Sequence, residues 1–190
     1  KIIAQKFDEN FFDGKRNHGY GGFSYNKKFW ESVIPTFRDY YKLSKKSNIL
    51  DVGCAKGFML YDFQKCIPGI QIKGIDISDY AIQNAKLEVR EHLQVANAIK
   101  LPFNDNTFDL VISITTLHNL EKKDMLEAIK EINRVSKKDA FITLDAFRNE
   151  FEKKRMEDWN LTAKTVMHVE EWKRFFKETS YNGDYYWFIP

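Results

Sequence analysis

From Asn48 onward, short apolar runs alternate with amphipathic stretches, and this alternation restricts the fold more than any other property of the chain. Ile49–Val52, Ile70–Ile75, His92–Ala96, Leu110–Ile114, Ala140–Leu144 and Asp184–Ile189 read as strands. Between them, Phe58–Ile67, Tyr80–Val89, Lys122–Val135 and Glu170–Lys177 place apolar side chains at three- and four-residue spacings and read as helices. Local punctuation agrees. Pro68-Gly69 stops the first helix, Ser78 and Asp79 can cap the second, and Asn104-Asp105-Asn106 forms a turn before the fourth strand. Strands separated by helices need right-handed crossovers, so the chain is expected to be α/β, a doubly wound, mostly parallel sheet of six or seven strands with helices on both faces. Such sheets bind ligands at the carboxyl ends of their strands, which directs attention to the loops after Val52, Ile75, Ala96, Ile114 and Leu144.

The segment before this alternation is different in kind. Residues 7 to 30 scatter Phe7, Phe11, Phe12, Tyr20, Phe23, Tyr25, Phe29 and Trp30 around Gly14, Gly19, Gly21 and Gly22, with neither a helical nor a strand period. Phe29–Leu43 then reads as an amphipathic helix that Pro35 bends or restarts. The chain is expected to divide into an aromatic, glycine-rich arm plus helix at 1–46 and a core at 47–190. Residues 1–46 hold ten Lys/Arg against five Asp/Glu, a local +5, whereas the whole chain carries only +3. An anionic small-molecule partner fits this distribution, and a solvated basic surface fits it too.

Composition excludes several classes. With 43% hydrophobic residues the chain can bury a core, and no uncharged apolar run approaches the ~18 residues of a membrane helix. Lys1-Ile2-Ile3-Ala4-Gln5-Lys6 meets charge before an apolar stretch forms, so no secretory leader and a cytoplasmic location are expected. Cys54 and Cys66 are too few for a disulfide framework or a four-ligand zinc site. The fourth strand ends in Ser113-Ile114-Thr115-Thr116 rather than in acids, so no metal is expected.

The chemistry-bearing motif comes directly after the first strand, in Asp51-Val52-Gly53-Cys54-Ala55-Lys56-Gly57. Gly53 and Gly57 permit a tight strand-to-helix turn and let a ligand lie against bare backbone. One glycine-rich turn is shared by many nucleotide-binding folds. A second element adds specificity, because Asp76 ends the second strand, where a carboxylate can accept hydrogen bonds from both hydroxyls of a ribose.

Taken together, these residues resemble the class I S-adenosylmethionine-dependent methyltransferases, whose fold is Rossmann-like. Their first motif, D-x-G-x-G-x-G, matches residues 51–57 except at Ala55. Their acidic residue after strand two matches Asp76 in Gly74-Ile75-Asp76-Ile77-Ser78. Asn97-Ala98 with Leu101-Pro102-Phe103 looks like the adenine-side loop, and Phe108-Asp109-Leu110-Val111-Ile112-Ser113 like the strand-four signature. Leu117-His118-Asn119-Leu120 and Glu131-Ile132-Asn133-Arg134-Val135 are similar to later segments of the small-molecule branch. The arm is loosely similar to a bacterial subgroup linked to surface-carbohydrate and secondary-metabolite pathways.

The resemblance implies S-adenosylmethionine as cofactor, with S-adenosylhomocysteine as product. It implies that Asp51 organises the methionine amino group, that Gly53 and Gly57 make room for the methionine moiety, and that the backbone of Cys54 touches the cofactor. Asp76 would hold the ribose, Ile77 would pack on adenine, Asn97 and Ala98 would bound the adenine edge, and Ser113 would sit at the methionine end. Asp51 and Asp76 also read as turn-capping acids, Asn97 as a turn residue and Ser113 as a plain strand terminus. Ala55 fits the turn if its backbone angles are ordinary. The family's sheet ends in an antiparallel edge pair, and the few residues after the last helix imply one closing strand with a missing or vestigial seventh.

Methyl transfer from a sulfonium is an in-line displacement with an activated reagent, so positioning can supply much of the rate, up to ~7–11 kcal/mol. A base is needed only when the acceptor must lose a proton, and O-methylation of a nucleotide-activated or phosphorylated sugar is the favoured reading. His118, after strand four, and His18, in the arm, are the candidate bases, each with a scaffold or surface alternative. Tyr20, Tyr25 and Asp145 are the candidate acceptor contacts. A silent S-adenosylmethionine-binding partner subunit is the alternative of another class. A nicotinamide dehydrogenase would need glycines at 53, 55 and 58 and finds only Gly53. A nucleic-acid methyltransferase lacks its Asn/Asp-Pro-Pro-aromatic tetrad here, so no nucleic-acid partner is expected.

Overall fold

The computed structural model of the chain describes residues 1–15, 17–19 and 24–190. Seven strands form the sheet: β1 (Asn48–Val52), β2 (Gln71–Asp76), β3 (Leu93–Val95), β4 (Phe108–Ile114), β5 (Ser136–Phe147), β6 (Met167–His168) and β7 (Asp184–Phe188). The order across it is β3-β2-β1-β4-β5, with β6 and β7 both pairing with β5, and every ladder is parallel. β1 and β4 are neighbours across the point where the winding reverses, so their carboxyl ends open the crevice in which doubly wound folds hold ligands.

The helices are α1 (Glu9–Phe12), α2 (Val33–Tyr40), α3 (Phe58–Cys66), α4 (Asp79–Gln83), α5 (Lys122–Val135), α6 (Glu150–Trp159) and α7 (Val169–Glu178). α5 obeys its sequence pattern, burying Met125, Ala128, Ile129, Ile132 and Val135 along one stripe. On the same face, Trp172 of α7 is fully buried and stacks on Phe176 and on Trp187 of β7. Burying such a ring stabilises the fold by about 2–3 kcal/mol. The opposite face is covered by α2 and α3, where Ile34, Phe37, Leu60 and Phe63 close over Ile49, Leu110 and Ile112.

Several elements depart from the sequence pattern for identifiable reasons. The helix expected over Phe29–Leu43 is a 3₁₀ turn at Lys27–Phe29 and then α2, with Pro35 in the first turn of α2, where its missing N–H has no helical partner to lose. The helix expected over Tyr80–Val89 stops at Gln83. There the Asn84 side-chain amide donates back to the Tyr80 carbonyl, and the Lys86 N–H leaves the helix to donate to the Lys56 carbonyl at 3.0 Å. β5 is far longer than Ala140–Leu144 because it has partners on both edges. α6 carries a weak signal, since Met156 is its only buried side chain. The closing strand β7 runs parallel to β5 at register Phe141↔Asp184, so the antiparallel edge pair of the family is absent among the described residues, and the vestigial strand is the two-residue β6.

The arm folds back onto the ligand edge. Asp8 caps α1 by accepting the Asn10 N–H, and Phe11 and Phe12 are buried with Ala4 against Ala81, alongside Ala55 and Tyr80. Among the described residues no helix is long and apolar enough to cross a membrane.

Candidate functional site

The loop after β1 is shaped by three alternate positions with positive φ: Gly53 (87°), Ala55 (47°) and Gly57 (74°). A Cβ at Gly53 would stand 2.1 Å from Thr116 Oγ1, and one at Gly57 would press on Val89 and Leu93, so both positions need glycine for space as well as for angle. Ala55 is the correction to the sequence reading. Its angles are left-handed rather than ordinary, a conformation that costs a non-glycine residue roughly 1–2 kcal/mol. Part of the compensation is visible, because the Ala55 N–H donates to Asp76 Oδ2 at 2.8 Å and its methyl joins the buried arm cluster.

Beside this loop lies a cleft of about 310 Å³. The loop contributes Asp51 and Gly53 through Lys56, α3 adds Phe58 and Met59, and the end of β4 adds Ile114 and Thr115. Its remaining wall is the arm, through Asn26, Phe29 and Trp30. Asp51 is buried, 4% exposed, and among the described residues its carboxylate accepts no hydrogen bond. Burial, and after it the charge of Asp76, pushes its carboxyl up to about 8. A carboxylate left unpaired at the wall of a cleft is a receptor for a positively charged hydrogen-bond donor.

Asp76 ends β2 in the expected place but already serves the local backbone. Oδ1 accepts the Ser78 N–H at 2.9 Å and Oδ2 accepts that of Ala55, and burial still leaves the carboxyl raised against these bonds. The Ile77 N–H also favours the charged form of this carboxyl, and these donors do not use all of the about four acceptor positions of a carboxylate. Ile77 is 56% exposed beside it, an apolar surface that nothing in the fold covers among the described residues. Asn97 Oδ1 accepts the Ile99 N–H as a turn residue does, leaving its amide N–H groups, and Ala98 is buried in the core. Cys54 is buried, its N–H donates to the Ile75 carbonyl at 2.9 Å, and burial pushes its thiol well up, so it packs as a small apolar side chain.

Other candidates are placed differently from the sequence reading. Ser113 is fully buried and its hydroxyl donates to the Val52 carbonyl at 2.8 Å, so the strand end reaches the cleft through Ile114 and Thr115 instead. Tyr25 lies off the cleft. Its hydroxyl donates to Asp62 Oδ1 at 2.7 Å and its ring stands edge-on to Phe58 and Tyr61, which pins the arm to α3. His18 is half-buried in the arm and does not line the cleft, and Tyr20 lies outside the described residues. His118 is enclosed, with Nδ1 accepting the Asp145 N–H at 3.1 Å; burial drives its imidazole down to about 3, so it is neutral with its proton on Nε2. Asp145 is sealed beside it, both carboxylate oxygens without a hydrogen-bond partner, Oδ1 at 3.4 Å from His118 Nδ1, and burial pushes its carboxyl up to about 7.

Sequence reasoning named none of the cleft residues Asn26, Phe29, Trp30, Lys56, Phe58, Met59, Ile114 and Thr115 as site residues. Lys56 carried a signal, since it stands inside the glycine motif. Asn26, Phe29 and Trp30 carried none beyond composition, because their arrival at the cleft depends on how an aperiodic arm folds back.

A parallel α/β sheet whose switch point carries a glycine-lined turn, an unpaired acid near the end of β1 and a second acid at the end of β2 defines a protein of the nucleotide-cofactor-binding class. Residues 50–144, half of the chain, match the family described as methyltransferase domain, and the chain belongs to the class I S-adenosylmethionine-dependent methyltransferases. It is 34% identical over 99 residues to the norajmaline N-methyltransferase of Rauvolfia serpentina, covering 48% of this chain and 33% of that protein. It is 33% identical over 135 residues to the tRNA (carboxymethyluridine(34)-5-O)-methyltransferase of Arabidopsis thaliana, covering 68% and 31%. The fold matches a crystal structure of an S-adenosylmethionine-dependent methyltransferase from Methanosarcina mazei with a TM-score of 0.62 at 22% identity, over 76% of this chain and 83% of that one. The chain spans well under half the length of the curated relatives it matches.

Proposed function

We propose that the chain binds S-adenosylmethionine and directs its methyl group to a small-molecule acceptor. The observation that carries this reading is the Asp51 carboxylate, buried, unpaired and lining a cleft beside the glycine turn. These residues fit the cofactor. Asp51 takes the methionine ammonium, Gly53 and Gly57 leave room for that half of the molecule, and the backbone of Cys54 lies along it. The remaining acceptor capacity of Asp76 takes the ribose hydroxyls, Ile77 covers a face of adenine, and Asn97 with the backbone of Ala98 bounds its edge. Ser113 shapes the methionine end from beneath, through its bond to the Val52 carbonyl. When bound, the cofactor supplies an activated methyl on sulfur, so the protein's task is to orient and to exclude water.

The acceptor side falls to residues 1–46, acting as a lid on the core at 47–190, because Asn26, Phe29 and Trp30 bring this arm into the cleft. Lys27 and Lys28 are exposed between Asn26 and Phe29, which supports an anionic acceptor such as a phosphorylated or nucleotide-activated sugar, methylated on oxygen. His118 enters as a positioning residue at the end of β4, since its Nδ1 is engaged by the Asp145 N–H. The test is S-adenosylhomocysteine release against a panel of phosphorylated sugars, nucleotide sugars and neutral amines and alcohols. Turnover with an anionic hydroxyl compound is the expected result; turnover confined to amines overturns the acceptor class, and failure of calorimetry to detect S-adenosylmethionine binding overturns the whole reading.

A further inference from the structure

Lys56 is an unusual residue to find inside a glycine loop. Its side chain is 9% exposed, and lysine is almost never buried without a charged partner. The partner comes from the arm: Lys56 Nζ donates to both carboxylate oxygens of Asp13, at 2.7 and 2.6 Å. Tyr80 secures the other side of the pair, its hydroxyl donating to Asp13 Oδ2 at 2.7 Å while its ring stacks on Phe12. Asp13 comes directly after α1, so this contact fastens the arm's first helix to the loop. An ammonium has three N–H donors, and Asp13 uses two. Lys56 also lines the cleft that contains Asp51.

We propose that Lys56 is a latch shared between the arm and the cofactor, giving two N–H donors to Asp13 and its third to the carboxylate of the cofactor's methionine half. This deepens the S-adenosylmethionine reading and rests on it. The methionine end of that cofactor carries an ammonium and a carboxylate on one carbon, and two residues that line the cleft, Asp51 and Lys56, bear the opposite charges. Because one buried ammonium holds both anions, filling the cleft anchors Lys56 against movement and strengthens the arm's attachment, and a docked arm presents Lys56 ready-oriented to the cofactor. The coupling is reciprocal, as any linkage between two binding events must be.

The experiment measures binding and arm protection together. Calorimetry compares S-adenosylmethionine with its decarboxylated form, which lacks only the carboxylate, on wild type, Lys56→Gln and Lys56→Arg. Limited trypsin digestion monitors cleavage in the arm at Lys15, Lys27 and Lys28 with and without S-adenosylmethionine. Wild type is expected to prefer the carboxylated ligand about 10-fold. Lys56→Gln is expected to lose that preference while binding the decarboxylated ligand within about 3-fold of wild type, and Lys56→Arg to keep most of it. Arm cleavage is expected to slow at least 5-fold with cofactor in wild type and Lys56→Arg, and to be insensitive to cofactor in Lys56→Gln. Equal affinity of wild type for the two ligands, or equal loss of both in Lys56→Gln while Lys56→Arg keeps both, overturns the latch and leaves the cofactor reading standing. Absence of binding of either ligand by wild type overturns that reading itself. Should Lys56→Gln fail to fold, the wild-type preference and the Lys56→Arg protection still decide the matter.

Discussion

Asp51 and Asp145 lie near the carboxyl ends of two central strands of one parallel sheet, β1 and β5, and burial pushes both carboxyls upward, to about 8 and about 7. Among the described residues both Asp145 oxygens lack a hydrogen-bond partner, and no hydrogen bond offsets the burial of Asp51. The difference lies in the chain around each strand end. After Asp51 come Val52 and Gly53, and the turn they open lines the cleft, with Thr116 packed into the space a side chain at Gly53 would take. Over Asp145 sits the 118 segment, whose carbonyl is tied down by the N–H groups of Lys164 and Thr165, while the Trp172 indole donates to the Asp145 carbonyl from the other side. A raised carboxyl at a ligand edge therefore marks a ligand site only where backbone makes room. At β5 the same group is a cost borne inside the fold.

The largest effect that separates the two acids concerns cofactor affinity. Charge-assisted hydrogen bonds contribute about 1.5–3 kcal/mol, so Asp51→Asn is expected to weaken S-adenosylmethionine binding about 100-fold by calorimetry. Asp145→Asn should stay within about 3-fold. A comparable loss in both variants would erase the distinction.

The next effect is on stability and has the opposite distribution. A carboxyl whose folded-state pKa is raised binds more protons folded than unfolded between about pH 4 and 7, so Asp145 lowers stability progressively as pH rises through that window. Asp145→Asn should consequently gain about 2 kcal/mol more at pH 8 than at pH 5, read from urea midpoints. A gain independent of pH would show that the carboxyl stays ionised throughout.

The smallest is a pH dependence of binding. Asp51 must be ionised to hold an ammonium, so binding below about pH 8 expels its proton, and affinity should rise by up to about 10-fold per pH unit toward 8 and then level off. Proton release measured in buffers of different ionisation enthalpy checks this, and Asp51→Asn should abolish it.

The structure also shows why some of the site was legible in advance and some was not. Asp51, Gly53, Gly57 and Asp76 declare themselves because strand ends and tight turns demand particular residue types within a few positions. Lys56 was visible as a letter of that motif, yet its partner Asp13 lies 43 residues away and no local pattern joins them. His118 and Asp145 read in sequence as acceptor-side residues near the carboxyl ends of β4 and β5; the structure encloses both, and that enclosure could not be read, because it depends on α7 and on the segment before β6.

By itself the amino-acid sequence determined the alternation of strands and helices, the parallel sheet and the place of the glycine turn, since hydrophobic period and turn chemistry are local and strong. Tertiary structure alone decided which acid faces a cleft, which histidine is sealed and which arm residues form the wall. Those outcomes depend on contacts between segments distant in the chain, where burial and the pairing of single charges, rather than propensity, set the balance.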